Sequence, residues 1–278
     1  MPAGLTRFDQ VRQNSKPSPS AISERLISGS MKTPVAGSRI SAPSPLSVAI
    51  AWGGAAAFAA SLGVFLYAYL VRFGAPASRT GPVRALAAPV LINVALFTAF
   101  AFHHSLFART PWKDRVGRVV SPLLERSLYT WVASGLFAGV CWWWMPVPGE
   151  LYRIDGGWRW LGWTVQAAGI LLTFVAARAL DVLDLAGVRP IVDARTTHVP
   201  LSTSGVFAAV RHPLYFGWTL FVFGAPHMNA TRALFAVVST AYLALAIPWE
   251  ERALVRTFGE AYEAYRRKTR WRMWPGVY

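Results

Sequence analysis

The sequence predicts an all-α fold: a polytopic transmembrane bundle of about six apolar segments, the last two a short hairpin, followed by an interfacial amphipathic helix. Three observations predict it. Of the 278 residues, 54% are apolar and only 15% are charged, where a soluble domain carries about a quarter charged. The apolar residues come in long runs, as membrane spans do. The thirteen Trp and sixteen Phe suit the headgroup level, where aromatic side chains collect.

Residues 1–45 are rich in Ser and Pro, basic and almost free of acids. No helical periodicity is present, so a disordered tail is expected there. It is not an ordinary signal peptide, because the apolar run begins only near Leu46.

Apolar segments follow at 46–71, 85–108, 127–145, 158–177, 213–228 and 231–249, giving a transmembrane domain of 46–249 and a C-terminal segment of 250–278. The first four are each long enough to cross a core of ~30 Å at ~1.5 Å per residue. The fifth, from Pro213 to Met228, would reach only about 24 Å as a helix. Only His227-Met228-Asn229-Ala230 separates it from the sixth. That spacing predicts a tight turn and a helical hairpin.

The basic residues orient the six crossings. With the tail inside, the inner regions hold six Lys and Arg in the tail, five in the 109–126 loop, four in 178–211 and seven after Trp249; the outer loops hold three, two and one. This is the asymmetry of the positive-inside rule. It places both termini and the polar motifs on the cytoplasmic side of a membrane. The net charge of +15 is thereby explained by topology, and no nucleic-acid-binding signature accompanies it. The single cysteine, Cys141, lies in an apolar run and reads as a small buried hydrophobe. No clustered ligand set points to a metal.

Two polar clusters flank the last hairpin, Arg211-His212-Pro213-Leu214-Tyr215-Phe216-Gly217 and Glu250-Glu251. The hairpin brings them to one cytoplasmic end. Pro213 suits the first turn of a helix, where its missing N–H is not needed. Arg211 and His212 then sit beside unpaired backbone N–H groups at a positive dipole end, which suits a carboxylate or phosphate. Gly217 lets a ligand or a neighbouring helix come close. Pro248 is expected to break the hydrogen-bond ladder of the sixth segment. Adjacent carboxylates at a membrane surface are costly unless they bind a cation, a hydroxyl pair or Arg.

Successive helical residues differ by about 100°, so Glu250 and Glu251 are expected to face differently, and which one meets a ligand is open. Beyond them, Leu254, Phe258, Tyr262 and Tyr265 form one apolar face, opposite Arg252, Arg256, Glu263 and Arg267. Glu263 and Arg267 are spaced as an i,i+4 pair. The stretch reads as an amphipathic helix at the interface. A ligand with a carboxylate, a diol, an adenine and a positive centre would suit these parts together. S-adenosylmethionine is one such ligand, though the residue types do not single it out.

The pattern Arg-His-Pro-x-Tyr-x-Gly followed by Glu-Glu-x-x-Leu-x-x-x-Phe-Gly-x-x-Tyr-x-x-Tyr, from Arg211 to Tyr265, closely resembles the isoprenylcysteine carboxyl methyltransferase superfamily of membrane methyltransferases. The resemblance implies S-adenosyl-L-methionine bound at the ends of the hairpin, without a Rossmann domain. It implies cofactor-binding roles for Arg211, His212, Pro213, Tyr215, Gly217, Glu250, Glu251 and Tyr262, with His212, Arg211 and Glu251 catalytic. Upstream, His104-Ser105-Leu106-x-Ala108-Arg109, Glu125-Arg126-Ser127-Leu128-Tyr129, Trp144-x-Pro146-x-Pro148 and Asp184-Leu185-Ala186-Gly187-Val188-Arg189 look like bacterial methanethiol S-methyltransferases. This likeness implies a bacterial inner membrane as host. Those proteins carry Phe-Gly-Leu-Arg-Gln where this chain has Ala186-Gly187-Val188-Arg189-Pro190, which leaves the acceptor open.

The implied reaction is an in-line methyl transfer from a sulfonium, which needs alignment and exclusion of water. A thiol acceptor must also lose its proton. His212 and Arg211 are candidates to help, as are His103 and His104 if segment two packs beside the hairpin. His104 and Arg189 are the candidate substrate residues. The favoured reading is methylation of a small thiol such as methanethiol. A lipid or prenylated-cysteine acceptor is the second reading, and a non-catalytic membrane protein of the denitrification-associated type the third.

Overall fold

The computed structural model describes residues 43–76, 84–107, 122–180, 183, 186–192 and 200–278. The tail before Pro43, most of the 109–126 loop, Arg109 and Asp184 lie outside the described residues.

Helix α1 (Pro45–Tyr67) starts where its composition says it should. Ser44 caps it, its hydroxyl accepting the Ser47 N–H at 3.1 Å, and Pro45 occupies the first turn. It continues as a π-helical turn, Ala68–Arg72. The carbonyls at this end are gathered by the buried Arg232 side chain, which donates to Tyr69 O at 3.1 Å and Leu70 O at 2.8 Å. A cation at the negative end of a helix is favourably placed.

Helix α2 is Arg84–Phe107 and helix α3 is Pro122–Trp143. Strand β1 (Glu150–Arg153) follows, then helix α4 (Arg159–Arg178) and the short helix α5 (Arg189–Val192). Helix α6 is Pro213–Phe223, strand β2 is His227–Asn229, helix α7 is Ala230–Phe258 and helix α8 is Glu260–Lys268. Among the described residues, four stretches are long and apolar enough to cross a membrane: Pro45–Arg72, Ala87–Leu106, Gly156–Arg178 and Ala230–Phe258. Many of their large apolar side chains point outward, Leu91 and Leu171 among them, as lipid contact allows.

Of the other two expected crossings, α3 has the length of a span, ~33 Å for its 22 residues, but carries buried Ser127, Thr130 and Ser134. Helix α6 does not have the length. Its eleven residues rise only ~16 Å.

The expected tight turn at His227–Ala230 is instead a strand. β2 pairs antiparallel with β1, with Glu150 opposite Asn229 and Arg153 opposite His227. Asn229 then caps α7 through its side-chain oxygen, which accepts the Arg232 N–H at 2.9 Å. The strand has a geometric purpose. From Ala230 to Glu250, α7 climbs ~30 Å. Strand β2, with its three residues, adds ~10 Å at ~3.3 Å per residue to the short rise of α6, before residues 224–226 are counted. The two polar clusters can therefore meet.

Pro248 removes one bond of the ladder but does not end the helix, and α7 runs through it to Phe258. The helix stops at Gly259, whose φ of +55° breaks the ladder. The expected single face of Leu254, Phe258, Tyr262 and Tyr265 is thus divided between α7 and α8. Glu263 pairs with Arg266 at 3.3 Å rather than with Arg267.

The core is aromatic. Phe65 stacks on Trp218 with centroids 4.7 Å apart and touches Phe221 and Phe235, and Phe235 is fully buried. Helices α4 and α6 meet along small residues. A Cβ on Gly169 would lie 2.6 Å from Gly217 O, and one on Gly162 would lie 2.8 Å from Gly224 O. Such close backbone approach is how helices pack where no water drives them together.

Candidate active site

The site is built where α6 begins. Residues 211 and 212 run alongside 271 and 272: Arg211 N–H donates to Trp271 O at 2.9 Å, and His212 N–H donates to Arg272 O at 2.8 Å. This segment after α8 ties the start of α6 in place. The Tyr265 hydroxyl adds a tie to Phe207 O at 2.7 Å, and burial pushes its pKa up to about 12.

Arg211 anchors the arrangement. Its Nε donates to Glu251 Oε1 at 2.6 Å, and its Nη1 donates to Thr269 O at 2.7 Å and Arg270 O at 2.8 Å. Both side chains of the pair are buried, at 7% and 5% exposure. The other oxygen of Glu251 lies 3.5 Å from Arg272 Nε. A charge this deep is tolerable only when paired and hydrogen-bonded.

His212 is the N-cap residue of α6 but makes no side-chain cap bond. Its ring is free to turn toward the carboxylates. Nδ1 is 3.4 Å from Glu250 Oε2, and Nε2 is 3.6 Å from Glu251 Oε1, too long for a hydrogen bond. The ring stacks on Tyr215 at 5.4 Å and 10°. Burial opposes its charge, but attraction to Glu250 and then Glu251 outweighs this and raises its pKa.

The two glutamates have different surroundings. The Glu251 side chain is 5% exposed and engaged by two arginines, whereas that of Glu250 is 47% exposed. Glu250 accepts the Tyr215 hydroxyl at 2.7 Å. Two buried polar atoms beside this cluster have no hydrogen-bond partner among the described residues, His212 Nε2 and the Tyr262 hydroxyl. Burial, and next Glu251, raise the pKa of Tyr262.

Arg211, His212, Tyr215, Glu250, Glu251 and Tyr262 are thus brought together, and Pro213 opens the helix that presents them. Gly217 is near but faces α4, where a Cβ would lie 2.5 Å from Thr173 Oγ1. His104 stands at the end of α2, its Nδ1 2.7 Å from the Tyr129 hydroxyl. Ser105 meets the Tyr242 hydroxyl of α7 at 3.1 Å, so α2 does pack beside the hairpin. Arg189 opens α5, whose Ile191 packs in a separate cluster with Ala51 and Leu124.

Sequence reasoning missed Thr269, Arg272 and Tyr278. Arg270-Trp271-Arg272-Met273-Trp274 has the composition of an interfacial anchor, which conceals its contacts with α6. The Tyr–Glu and Tyr–His pairs were also missed, since nothing local marks a hydroxyl's distant partner.

Comparison with known proteins supports one family. The model for phospholipid methyltransferases matches residues 158–261, a range that contains Arg211, His212, Glu250 and Glu251. Methanethiol S-methyltransferase 2 of Bradyrhizobium diazoefficiens is 33% identical, over 73% of this chain and 82% of its own length. Methanethiol S-methyltransferase of Mycobacterium tuberculosis is 31% identical, over 72% and 88%. Protein-S-isoprenylcysteine O-methyltransferase of Schizosaccharomyces pombe is 37% identical over a shorter stretch, 24% of this chain and 30% of its own. No solved structure matches significantly. With four helices fit to cross a bilayer and this kinship, the chain belongs to the methanethiol S-methyltransferase family of integral membrane methyltransferases.

Proposed function

We propose that the chain transfers a methyl group from S-adenosyl-L-methionine to a small thiol such as methanethiol, at the cytoplasmic face of a bacterial inner membrane. The donor reading rests on one observation. Clusters 40 residues apart in sequence close into a buried ion pair, and beside it two buried polar atoms, His212 Nε2 and the Tyr262 hydroxyl, have no hydrogen-bond partner among the described residues. Unpaired buried polar atoms cost free energy, and a polar ligand would remove that cost.

The residues fit this donor. His212, whose pKa is raised by Glu250 and Glu251, and the start of α6 would take its carboxylate. The half-exposed Glu250 would accept from the ribose hydroxyls, and the Tyr215 and Tyr262 rings would flank its apolar parts. Arg211 and Glu251 saturate each other and would act by holding His212 in position. Gly217 would act one step further back, by seating α6 against α4. When bound, the donor supplies an electrophilic methyl group on a sulfonium, and the chain's task is to align the acceptor and exclude water.

The small-thiol acceptor is supported by the names of the relatives, which match over most of their length. The cytoplasmic orientation is supported by the distribution of Lys and Arg. The test is a substrate panel on membranes expressing the chain. With labelled donor, methanethiol should yield dimethyl sulfide. Label found only in lipid or in a prenylcysteine ester would overturn the thiol assignment, and absence of S-adenosylhomocysteine binding in detergent and in lipid would overturn the donor assignment.

A further inference from the structure

The geometry points to His104 as the base that takes the acceptor thiol's proton, with Tyr129 fixing which ring nitrogen does so. This inference rests on the thiol reading above.

The Tyr129 hydroxyl makes two contacts with one residue, 2.7 Å to His104 Nδ1 and 3.4 Å to His104 O. A carbonyl can only accept, so in the 3.4 Å contact the hydroxyl is the donor. In the tautomer proposed here the hydroxyl proton goes to that carbonyl, and the hydroxyl oxygen accepts from Nδ1–H. That leaves the lone pair on Nε2. His104 is exposed, and Nε2 has no hydrogen-bond partner among the described residues, so a small molecule can reach it. In a catalytic triad a carboxylate orients histidine in the same sense; here a phenol does so.

The surroundings suit a base that is charged only in passing. Tyr242 of α7 packs edge-on to the ring at 6.4 Å, and Phe100 of α2 lies at 5.6 Å. His103 of α2 stacks on Tyr129, and Arg126 of α3 acts electrostatically on Tyr129. The one carboxylate within electrostatic reach of His104 in this set is Glu250, which also touches His212 and Tyr215. Glu250 therefore attracts an imidazolium formed at His104, against the desolvation and the neighbouring His103 that oppose it.

The step balances. The thiol proton passes to Nε2, and the sulfur's freed pair forms the new S–C bond to the methyl carbon. The sulfonium C–S bond breaks, and its pair returns to the departing sulfur as S-adenosylhomocysteine. The imidazolium then gives its proton to water.

The experiment compares an alkanethiol, protonated at neutral pH, with an aryl thiol that is already ionised. His104→Gln should lose ~100-fold or more in kcat with methanethiol, in the range of a general base. It should stay within a few-fold of wild type with thiophenol, and raising the pH should restore its methanethiol rate. Tyr129→Phe should shift the pH profile for methanethiol while leaving thiophenol turnover unchanged. S-adenosylhomocysteine binding should be unaltered in both variants. Equal losses with the two thiols, wild-type rates with both, or lost S-adenosylhomocysteine binding in the variants would overturn the assignment. Failure of the wild-type chain to bind S-adenosylhomocysteine or to methylate either thiol would instead sink the reading on which it rests.

Discussion

The Ala244 carbonyl, four residues before Pro248 in α7, accepts the hydroxyl proton of Tyr278 at 3.3 Å. A proline within a helix withdraws the N–H that this carbonyl would otherwise receive. The phenol replaces it, and α7 stays helical up to the two glutamates. Tyr278→Phe should cost about 1 kcal/mol, the net worth of one hydrogen bond, and speed amide exchange around Ala244. Hydrogen exchange in detergent or nanodiscs measures this, and unchanged exchange there would remove Tyr278 as the compensating donor.

Glu250 and Glu251 should separate by assay. Glu251→Ala leaves Arg211 buried without its partner, a change of about 3–5 kcal/mol. It should abolish turnover and lower the melting temperature while membrane insertion is kept. Glu250→Gln, at a half-exposed position, should leave the melting temperature near wild type and weaken S-adenosylhomocysteine binding. Thermal unfolding and a binding isotherm on both variants check this, and identical behaviour would contradict the division of labour.

His212 predicts a pH dependence. Its folded-state pKa is raised, because the carboxylates of Glu250 and Glu251 outweigh burial. Its stabilisation is therefore complete below the unfolded value of about 6.5 and is lost as pH rises through the higher folded value. Melting temperature and donor affinity should fall together on the alkaline side, and His212→Gln should flatten both. A melting temperature that rises over this range would reverse the assigned sign.

Gly217→Ala should be severe, since its Cβ would lie 2.5 Å from Thr173 Oγ1 and 2.7 Å from Gly169 O. Overpacking of this kind costs about 1–3 kcal/mol, and the shift of α6 would misplace His212. Gly135→Ala, with open space around its Cβ, is the control and should be silent. Melting temperature and kcat for the pair decide it.

The sequence made the apolar runs of Pro45–Arg72 and Ala230–Phe258 plain, because twenty or more apolar residues have few other uses. It also carried the pairing of Arg211 and His212 with Glu250 and Glu251, since a hairpin leaves their ends little choice. It could not disclose the β1–β2 ribbon. Glu150-Leu151-Tyr152-Arg153 is exposed throughout and has no alternation of buried and open positions for a period-two pattern to reveal. The continuation of α7 past Pro248 was hidden for a related reason: the compensating bond comes from Tyr278, outside any local window. The identity of the buried glutamate also had to await the fold, because two adjacent carboxylates read alike until Arg211 and Arg272 select one.

The glycine seam between α4 and α6 limits how the protein can change shape. Where backbone touches backbone at Gly169 and Gly217, sliding one helix past the other by even an ångström drives a carbonyl into a neighbouring chain atom. The two helices therefore travel as one body. Any breathing that admits a donor or releases a methylated product leaves that pair undisturbed and bends the molecule elsewhere.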